Sequence, residues 1–214
     1  MRFCVAIDGP SGAGKSTLSR RAAAELGFLY VDTGAIYRAV ALAYREHGES
    51  WRDFCDIALT HDGGQRVYLN GRDVSEEIRK HEVSKIASDL SACAEVRAFL
   101  LGLQRELAQN GKVIMDGRDI GTVVVPDADI KIFLTADPED RARRRFDELC
   151  LRGQDVAYED VLRDVTERDR NDTNRAISPL RRADDAVLLD TTGNTFEKSL
   201  LLITELIRER AKTV

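Results

Sequence analysis

Short apolar runs alternate along the chain with longer segments in which apolar residues recur every three or four positions. The short runs predict strands, and those at residues 3–7 and 113–115 are typical of strands that are buried in a parallel sheet. The short runs occupy residues 3–7, 28–31, 113–115, 130–134 and 187–190. The longer segments are typical of amphipathic helices. Strands that alternate with such helices predict a three-layer α/β sandwich, with a mostly parallel central sheet flanked by helices.

Several residues mark where the helices should begin and end. Gly27 follows the first helical segment, and glycine commonly ends a helix. Thr33 is a candidate N-cap for the second helix, and Asn194 with Glu197 predicts a capping box at the start of the last one. The apolar spacing over residues 83–107 predicts a single long amphipathic helix.

Two regions depart from the strand–helix rhythm within what we expect to be a single domain of residues 1–214. Residues 51–80 contain a predicted hairpin with Asn70-Gly71 as a type I′ turn, which indicates a small inserted subdomain. Residues 145–182 are highly charged and have few apolar residues. We expect them to form helices separated at Gly153 and to open at low cost in free energy.

A phosphate-binding loop follows the first predicted strand directly. It matches the pattern G-x-x-x-x-G-K-[ST] and consists of Gly9, Pro10, Ser11, Gly12, Ala13, Gly14, Lys15, Ser16 and Thr17. Glycines let the backbone N–H groups surround a phosphate at the N-terminus of a helix. Lys15 is expected to contact the β- and γ-phosphates of ATP, and the Ser16 hydroxyl is expected to ligate Mg²⁺.

Composition and charge narrow the classes of function. The chain is 43% hydrophobic and 32% charged, with a formal net charge of -5, which disfavours a nucleic-acid partner. No apolar run reaches the length of a membrane span, and a strand begins directly after Met1, so we expect neither a membrane partner nor a signal peptide. The four cysteines are scattered and suggest reduced thiols. We therefore predict a cytoplasmic protein.

Two further polar segments follow predicted strands and should lie near the phosphate-binding loop. They are residues 32–38 and residues 116–124, and each combines carboxylates with an arginine. Ligands of open α/β sheets bind at the carboxyl ends of the strands, where both segments are expected. Such a set suits a ligand that carries a phosphate and a hydrogen-bonding base. Asp116 is either a metal-site carboxylate or a cap for the turn that follows it.

The chain resembles the bacterial cytidylate kinase family of nucleoside monophosphate kinases almost from end to end. The resemblance is carried by residues 8–15, 32–38, 74–79, 116–124 and 167–172. It implies transfer of the γ-phosphate of ATP to CMP or dCMP with Mg²⁺. It also implies that residues 51–80 form a nucleotide-binding insertion and that residues 145–182 form a mobile lid.

The resemblance also implies roles for individual residues. Ser88, Arg97 and Asp119 match positions that read the cytosine ring. Tyr37, Arg38, Arg118 and Arg175 match positions near the acceptor phosphate, whereas Arg168 and Asp172 match positions near the sugar. Thr33 is also expected to bind CMP, at a position where serine is common in the family. Lys15, Arg118 and Arg175 are the expected catalytic residues. Arginines within residues 141–145 either form a solvated helix face or contact the transferred phosphoryl group.

Two other functions are compatible with a phosphate-binding loop. One is a nucleoside monophosphate kinase that acts on UMP or dTMP, from which the base-reading residues would distinguish this chain. The other is a nucleotide-dependent switch, although the chain has no Asn-Lys-x-Asp segment of the kind that reads guanine. The compact insertion favours a monomer.

Overall fold

The structure, a computed structural model, describes residues 2–61, 64–151 and 153–212. In chain order, the strands are β1 (Phe3–Asp8), β2 (Leu29–Asp32), β3 (Ile57–Thr60), β4 (Arg66–Leu69), β5 (Arg72–Asp73), β6 (Lys112–Gly117), β7 (Ile130–Thr135) and β8 (Val187–Asp190). The α-helices are α1 (Lys15–Leu26), α2 (Thr33–His47), α3 (His81–Leu90), α4 (Ala94–Leu107), α5 (Pro138–Leu151), α6 (Tyr158–Asn174) and α7 (Phe196–Ala211).

The central sheet is parallel throughout, with the strand order β2-β6-β1-β7-β8. All six residues of β1 are buried, because β1 lies in the middle of the sheet and helices cover both faces. The register pairs Asp32 with Asp116 and Asp8 with Gly117. Asp32, Asp116 and Asp8 therefore all lie at the carboxyl edge of the sheet, beside the phosphate-binding loop, with Asp8 one residue beyond the Asp32–Asp116 pair.

Helices cover the two faces of the sheet and form two hydrophobic cores. On one face, α2 and α4 contribute Ile36, Leu42 and Leu100, which lie in one cluster with Met115 of β6. The residues of the other cluster include Leu18 of α1, Ile203 and Ile207 of α7, Ile114 of β6, and Ile132 and Leu134 of β7. The prediction of a three-layer α/β sandwich with a mostly parallel sheet is confirmed.

The insertion forms a separate three-stranded antiparallel sheet in the order β3-β4-β5. Asn70 and Gly71 both have positive φ angles, of 50° and 77°, as the predicted type I′ turn requires. The sequence analysis missed β3, whose four residues are alternately half-buried and exposed. Its apolar signal is weak because the inserted sheet buries only one face.

The prediction of one long helix over residues 83–107 is wrong, because α3 ends at Leu90 and α4 begins at Ala94. The break follows from hydrogen bonding rather than from hydrophobic spacing. The Ser91 hydroxyl donates to the Ser88 carbonyl oxygen at 2.7 Å, and the Ser91 carbonyl oxygen accepts from Arg97 at 3.0 Å. Helical apolar spacing continues across the break, so periodicity alone cannot reveal it.

Two predicted caps are each displaced by one residue. Asp32, not Thr33, caps α2, because its carboxylate accepts the Ala35 N–H at 3.0 Å while the Thr33 hydroxyl donates to the Asp116 carbonyl oxygen. The last helix is capped by Thr195, whose hydroxyl accepts from the Lys198 N–H at 3.2 Å, instead of by Asn194.

The highly charged region contains α5 and α6, and Gly153, with a φ angle of 74°, lies between them as predicted. Helix α6 ends at Asn174, so Arg175 begins an extended segment.

None of the helices in the described part of the chain combines the length and the hydrophobicity that a membrane span requires.

The packing of α7 against the sheet generates a prediction about stability. Ile203 is fully buried, whereas Leu201 on the same helix is 52% exposed. We expect Ile203→Ala to lower the free energy of unfolding by about 2–5 kcal/mol, because a cavity remains between α7 and the sheet. Leu201→Ala is the matched control and should change it by less than about 1 kcal/mol. Urea unfolding measures both, and equal losses would contradict the packing of α7.

Candidate active site

The phosphate-binding loop connects β1 to α1 and is packed tightly against its neighbours. Gly9 has a φ angle of 155°, and a Cβ atom there would lie 2.0 Å from the Leu134 carbonyl oxygen. Gly12 has a φ angle of 73°, and a Cβ atom there would lie 3.1 Å from the Arg141 carbonyl oxygen. Glycine at these positions therefore allows the loop to lie against β7 and α5.

Lys15 lies at the first position of α1, and its side chain turns back into the loop. Its Nζ donates to the Pro10 carbonyl oxygen at 2.6 Å, and the residue is buried. Burial lowers the pKa of Lys15, and the nearby Arg118 charge lowers it further. A phosphate group in the loop would supply the anion that this buried ammonium lacks.

Asp116, at the end of β6, lies beside the loop and receives two side-chain hydroxyl groups. The Ser16 hydroxyl donates to its carboxylate at 2.9 Å, and the Tyr30 hydroxyl donates at 2.8 Å. Burial raises the pKa of Asp116, and the neighbouring Asp32 charge adds to the rise. The carboxylate faces the metal-site hydroxyl predicted from the sequence, which favours the metal-site interpretation over a cap.

The donor set around Ser16 fits a magnesium ion that is shared with a nucleotide. A hydroxyl and a carboxylate are hard oxygen ligands of the kind that Mg²⁺ prefers. In the described ranges, no group of three or more His, Cys, Asp or Glu side chains could hold a metal ion. This pair of ligands therefore suits an ion that takes its remaining ligands from phosphates and water.

A buried cluster of charges lies next to the loop, on the segment after β6. Asp119 forms an ion pair with Arg97, and its second oxygen lies 3.5 Å from Nη2 of Arg175. Arg97 also lies 5.7 Å from the centre of the Tyr37 ring. Burial raises the pKa of Asp119, while the two guanidinium groups oppose this rise. The cluster thus presents guanidinium donors and a carboxylate acceptor within one small region.

Ser91 joins the arginines of this cluster to the break between α3 and α4. Its carbonyl oxygen accepts from Arg97, and its hydroxyl oxygen accepts from Arg175 at 3.2 Å. Ser88 lies one turn earlier on α3 and is half-buried. Its hydroxyl makes no hydrogen bond within the part of the chain that the structure describes. The break therefore positions both arginines and leaves the Ser88 hydroxyl available to a ligand.

A second group of arginines lies closer to Lys15. Arg118 Nε donates to Asp172 at 2.7 Å, and Arg38 pairs with Asp32 at 3.0 Å. Burial lowers the pKa of Arg168 to about 10, and the charges of Arg118, Arg38 and Arg145 contribute to that shift. Arg168 Nε is buried without a hydrogen-bond partner in the described residues.

The acids of this second group only partly balance its cations. Burial raises the pKa of Asp172, but Arg118, Arg168 and Arg175 outweigh burial and hold the pKa below its ordinary value. The lowered pKa of Arg168 shows that repulsion and burial together exceed the attraction of Asp172. The arrangement is therefore suited to an anionic ligand, which would supply the missing negative charge.

The structure brings together the residues that the sequence analysis selected. The loop residues, the residues predicted to read the base and the arginines predicted to bind the acceptor phosphate all lie around the carboxyl edge of the sheet, where the parallel topology leads ligand sites to be expected. The Thr33 hydroxyl donates to the Asp116 carbonyl oxygen, so it also fixes β2 to β6. Thr17 is exposed at the start of α1.

The sequence analysis missed contacts that join α5 and α6 to the phosphate-binding loop. Asp169 accepts the Ser11 N–H at 3.0 Å, and Arg141 Nη1 donates to the Ser11 carbonyl oxygen at 2.9 Å. Arg141 also pairs with Asp169 and is buried. Arg141 was expected either on a solvated face or near the phosphoryl group, and neither expectation indicated a bond to the loop backbone.

Gln65 makes a comparable contact from the insertion to the central sheet. Its side-chain oxygen accepts the Asp32 N–H at 2.7 Å, and its amide nitrogen donates to the Asp32 carbonyl oxygen at 3.2 Å. A single glutamine in a polar segment carries no sequence signal for such a role. The contact holds the inserted sheet beside the Asp32–Arg38 ion pair.

Comparisons with known proteins show the family to which the chain belongs. The profile of the family described as "Cytidylate kinase" matches residues 5–209. The cytidylate kinase of Carboxydothermus hydrogenoformans is 49% identical, with 95% of this chain and 96% of the relative covered. The cytidylate kinase of Desulfitobacterium hafniense is 48% identical, with 98% and 94% covered. The crystal structure of a putative kinase from Chloroflexus aurantiacus is similar in fold, with a TM-score of 0.52, 14% identity, and 99% and 97% of the two chains covered.

A glycine-rich loop that enters a helix at the edge of a parallel sheet, beside a cluster of largely buried arginines, is typical of P-loop kinases. The share of the chain that is matched and its sequence identity to the relatives identify the family within this class. The chain belongs to the cytidylate kinase family.

The cluster around Arg168 predicts that anions stabilise the protein. Inorganic phosphate at ten times its dissociation constant should raise the melting temperature by about 3 °C or more, relative to sodium chloride of equal ionic strength. We expect Arg168→Gln to melt no lower than the parent without phosphate, because repulsion is relieved. It should also lose most of the stabilisation by phosphate.

Arg163→Gln is the matched control for this measurement. Arg163 lies on the same helix and pairs with Asp160, but it is exposed. This variant should keep the full gain in melting temperature. If Arg168→Gln keeps it as well, the arginine cluster is not the anion site.

Proposed function

We propose that the protein transfers the γ-phosphate of ATP to CMP or dCMP and forms CDP or dCDP with Mg²⁺. The observation that carries this proposal is the buried cluster of Asp119, Arg97 and Arg175 beside a complete phosphate-binding loop. The loop suits the phosphates of ATP, and the cluster suits the base of the acceptor. The names of the relatives, which are cytidylate kinases, support the same acceptor.

The chemistry of the cluster favours cytosine over uracil. Cytosine offers acceptors at O2 and N3 and a donor at its N4 amino group. Arg97 supplies guanidinium donors and Asp119 supplies a carboxylate acceptor, so the two sets are complementary. Uracil has a carbonyl oxygen in place of the amino group. A uracil base would therefore place two acceptors against each other in a buried site, which is costly.

The reaction needs charge neutralisation and alignment more than proton transfer. In this proposal Lys15, Arg38 and Arg118 lie around the place where the phosphates of the two nucleotides would meet, and the effect of the Arg118 charge on the pKa of Lys15 supports the arrangement. Arg168, which was expected near the sugar, and Arg175, which was expected to be catalytic, would add positive charge from the same side. Their positive charges would stabilise the transferring phosphoryl group, and the acceptor phosphate is already anionic near neutral pH. Ser16 and Asp116 would hold the magnesium ion, which would neutralise charge on the phosphates of ATP.

We propose that residues 145–182 act as a lid and that residues 51–80 help to bind the acceptor. In support of the lid, Asp169 on α6 reaches the backbone of the phosphate-binding loop. Closure over the two nucleotides would exclude water and so limit hydrolysis of ATP. In support of the acceptor-binding role, Gln65 contacts Asp32 beside Arg38.

Two further expectations from the sequence stay proposals. We propose a cytoplasmic location, and the four free cysteines support it. We also propose a monomer that acts on ATP and CMP or dCMP and has neither a nucleic-acid nor a membrane partner.

An acceptor screen tests the proposed function directly. Purified protein with Mg²⁺ and saturating ATP should phosphorylate CMP and dCMP at least about tenfold faster than UMP or dTMP at equal low concentrations. Product formation is measured by separating nucleoside diphosphates. A preference for UMP or dTMP would identify another nucleoside monophosphate kinase. Slow ATP hydrolysis that no acceptor accelerates would identify a nucleotide-dependent switch.

Asp119 provides a sharper prediction about base selectivity. In Asp119→Asn, the amide can accept from the cytosine amino group or donate to the uracil carbonyl, so discrimination should weaken. We expect the CMP/UMP ratio of kcat/KM to fall at least about tenfold. Asp127→Asn is the control, because Asp127 pairs with Arg2 on the exposed surface. An unchanged ratio in Asp119→Asn would remove Asp119 from base recognition.

A further inference from the structure

Asp8 is a buried carboxylate that the proposed reaction does not use. It is the last residue of β1 and immediately precedes Gly9 of the phosphate-binding loop. Its Oδ1 accepts the Ile120 N–H and its Oδ2 accepts the Gly121 N–H, both at 2.8 Å. Both oxygens therefore bind the segment that directly follows Asp119.

The two N–H groups belong to a turn that has no other way to satisfy them. The turn spans Ile120–Val124, and the N–H groups of its last residues bond back to the Asp119 carbonyl oxygen. The first N–H groups of any helical turn lack a partner within the turn. Ile120 is buried, so leaving its N–H unpaired would be costly. Asp8 thus caps this turn from a neighbouring strand.

Asp8 and the turn are closely packed. A Cβ atom on Gly121 would lie 3.1 Å from Cδ of Lys131 and 3.4 Å from Oδ2 of Asp8. The turn therefore lies flat against β1 and β7. No ion pair with Asp8 is present in the described residues. The Ser16 hydroxyl bonds to Asp116 instead, so Asp8 is not part of the metal-site pair.

We propose that Asp8 is a positioning residue for the acceptor base. Its carboxylate fixes the turn that carries Asp119 to the strand that carries the phosphate-binding loop. It thereby sets the distance between the two nucleotide sites. This inference rests on the proposed function, because the acceptor base is the ligand that Asp119 would read.

Only a carboxylate can supply both bonds. An asparagine in the same place offers one acceptor, and its NH₂ group would face the second N–H. The carboxylate is held here at a cost, since burial raises the pKa of Asp8 to about 6 despite its two backbone bonds. Asp119 raises this pKa further, whereas Lys15 lowers it, and Lys131 packs against the same turn.

Asp8→Asn is the variant that tests the proposal, and Asp129→Asn is its matched control. The Asp129 carboxylate accepts the Cys4 N–H at 2.7 Å, so it binds the same strand but lies at the opposite end from the site. We expect Asp8→Asn to raise the KM for CMP about tenfold and to change the KM for ATP by less than about threefold. Hydrogen exchange should accelerate at residues 120–124 but not in β1. Asp129→Asn should leave both KM values unchanged.

The wild type is assayed first, so that a failure of the proposed function can be distinguished from a failure of the positioning role of Asp8. A wild type that does not phosphorylate CMP would refute the proposed function. A wild type that does so, beside an Asp8→Asn variant with an unchanged KM for CMP, would refute the positioning role alone. Equal rises in both KM values would also refute it, because they would indicate a damaged phosphate-binding loop.

A measurement on the wild type covers the case in which Asp8→Asn does not fold. Protonated Asp8 would direct a hydroxyl group at a backbone N–H and would loosen the turn. The dissociation constant of cytidine, which has no phosphate to titrate, should therefore rise as the pH falls through about 6. The amide chemical shifts of Ile120 and Gly121 should change over the same range. A constant affinity for cytidine while these shifts change would overturn the proposal.

Discussion

Three aspartates lie at or next to the carboxyl ends of neighbouring strands, and the parallel register fixes their positions. Asp32 pairs with Asp116, whereas Asp8 pairs with Gly117 and so lies one residue beyond Asp116. Asp32, Asp116 and Asp8 each bind a different element: the start of α2, the Ser16 hydroxyl and the turn after Asp119. Because the backbone hydrogen bonds of the sheet set the spacing of these carboxylates, they also set the spacing of everything that the carboxylates hold. The two proposed nucleotide sites are in this sense extensions of the sheet register.

The buried charges beside the phosphate-binding loop fall into two groups. Around Asp119, the buried carboxylate pairs with Arg97 and lies near Arg175 within the protein. Around Arg168, burial lowers the pKa of that arginine, and the positive charges of Arg118, Arg38 and Arg145 lower it further. The first region is therefore preorganised for a neutral ring with a definite pattern of donors and acceptors. The second stores unfavourable repulsion that an anionic ligand would relieve.

Local structure could be predicted from the sequence wherever a short residue pattern is compatible with few backbone conformations. The phosphate-binding loop, the hairpin at Asn70-Gly71 and the buried strands were all predicted, because glycine spacing and apolar runs admit few alternatives. The break between α3 and α4 was missed because apolar spacing continues through it. Its cause is the bonding of Ser91 to Arg97 and Arg175, which are distant in sequence.

The residues of the site could likewise be predicted only where a local pattern identifies them. Arg97 and Ser88 carry no local signal of their own, since polar residues on a helix usually face solvent, and only the family resemblance selected them. The contacts of Asp169, Arg141 and Gln65 with backbone groups were missed for a related reason. A side chain that binds a main-chain atom far along the sequence leaves no pattern in residue types. Such contacts depend on the assembled fold.

The collision between any Cβ atom at Gly9 and the Leu134 carbonyl oxygen limits which substitutions can be accepted at that position during evolution. Every substitution at that position would force β1 and β7 apart at the point where they pair, so it would damage the fold and the loop together. A mutation at Gly9 therefore cannot weaken the binding of an inhibitor while the protein keeps part of its activity. An inhibitor that bound the backbone of this turn would contact a residue with no viable replacement, unlike one that relied on exposed arginines within residues 145–182.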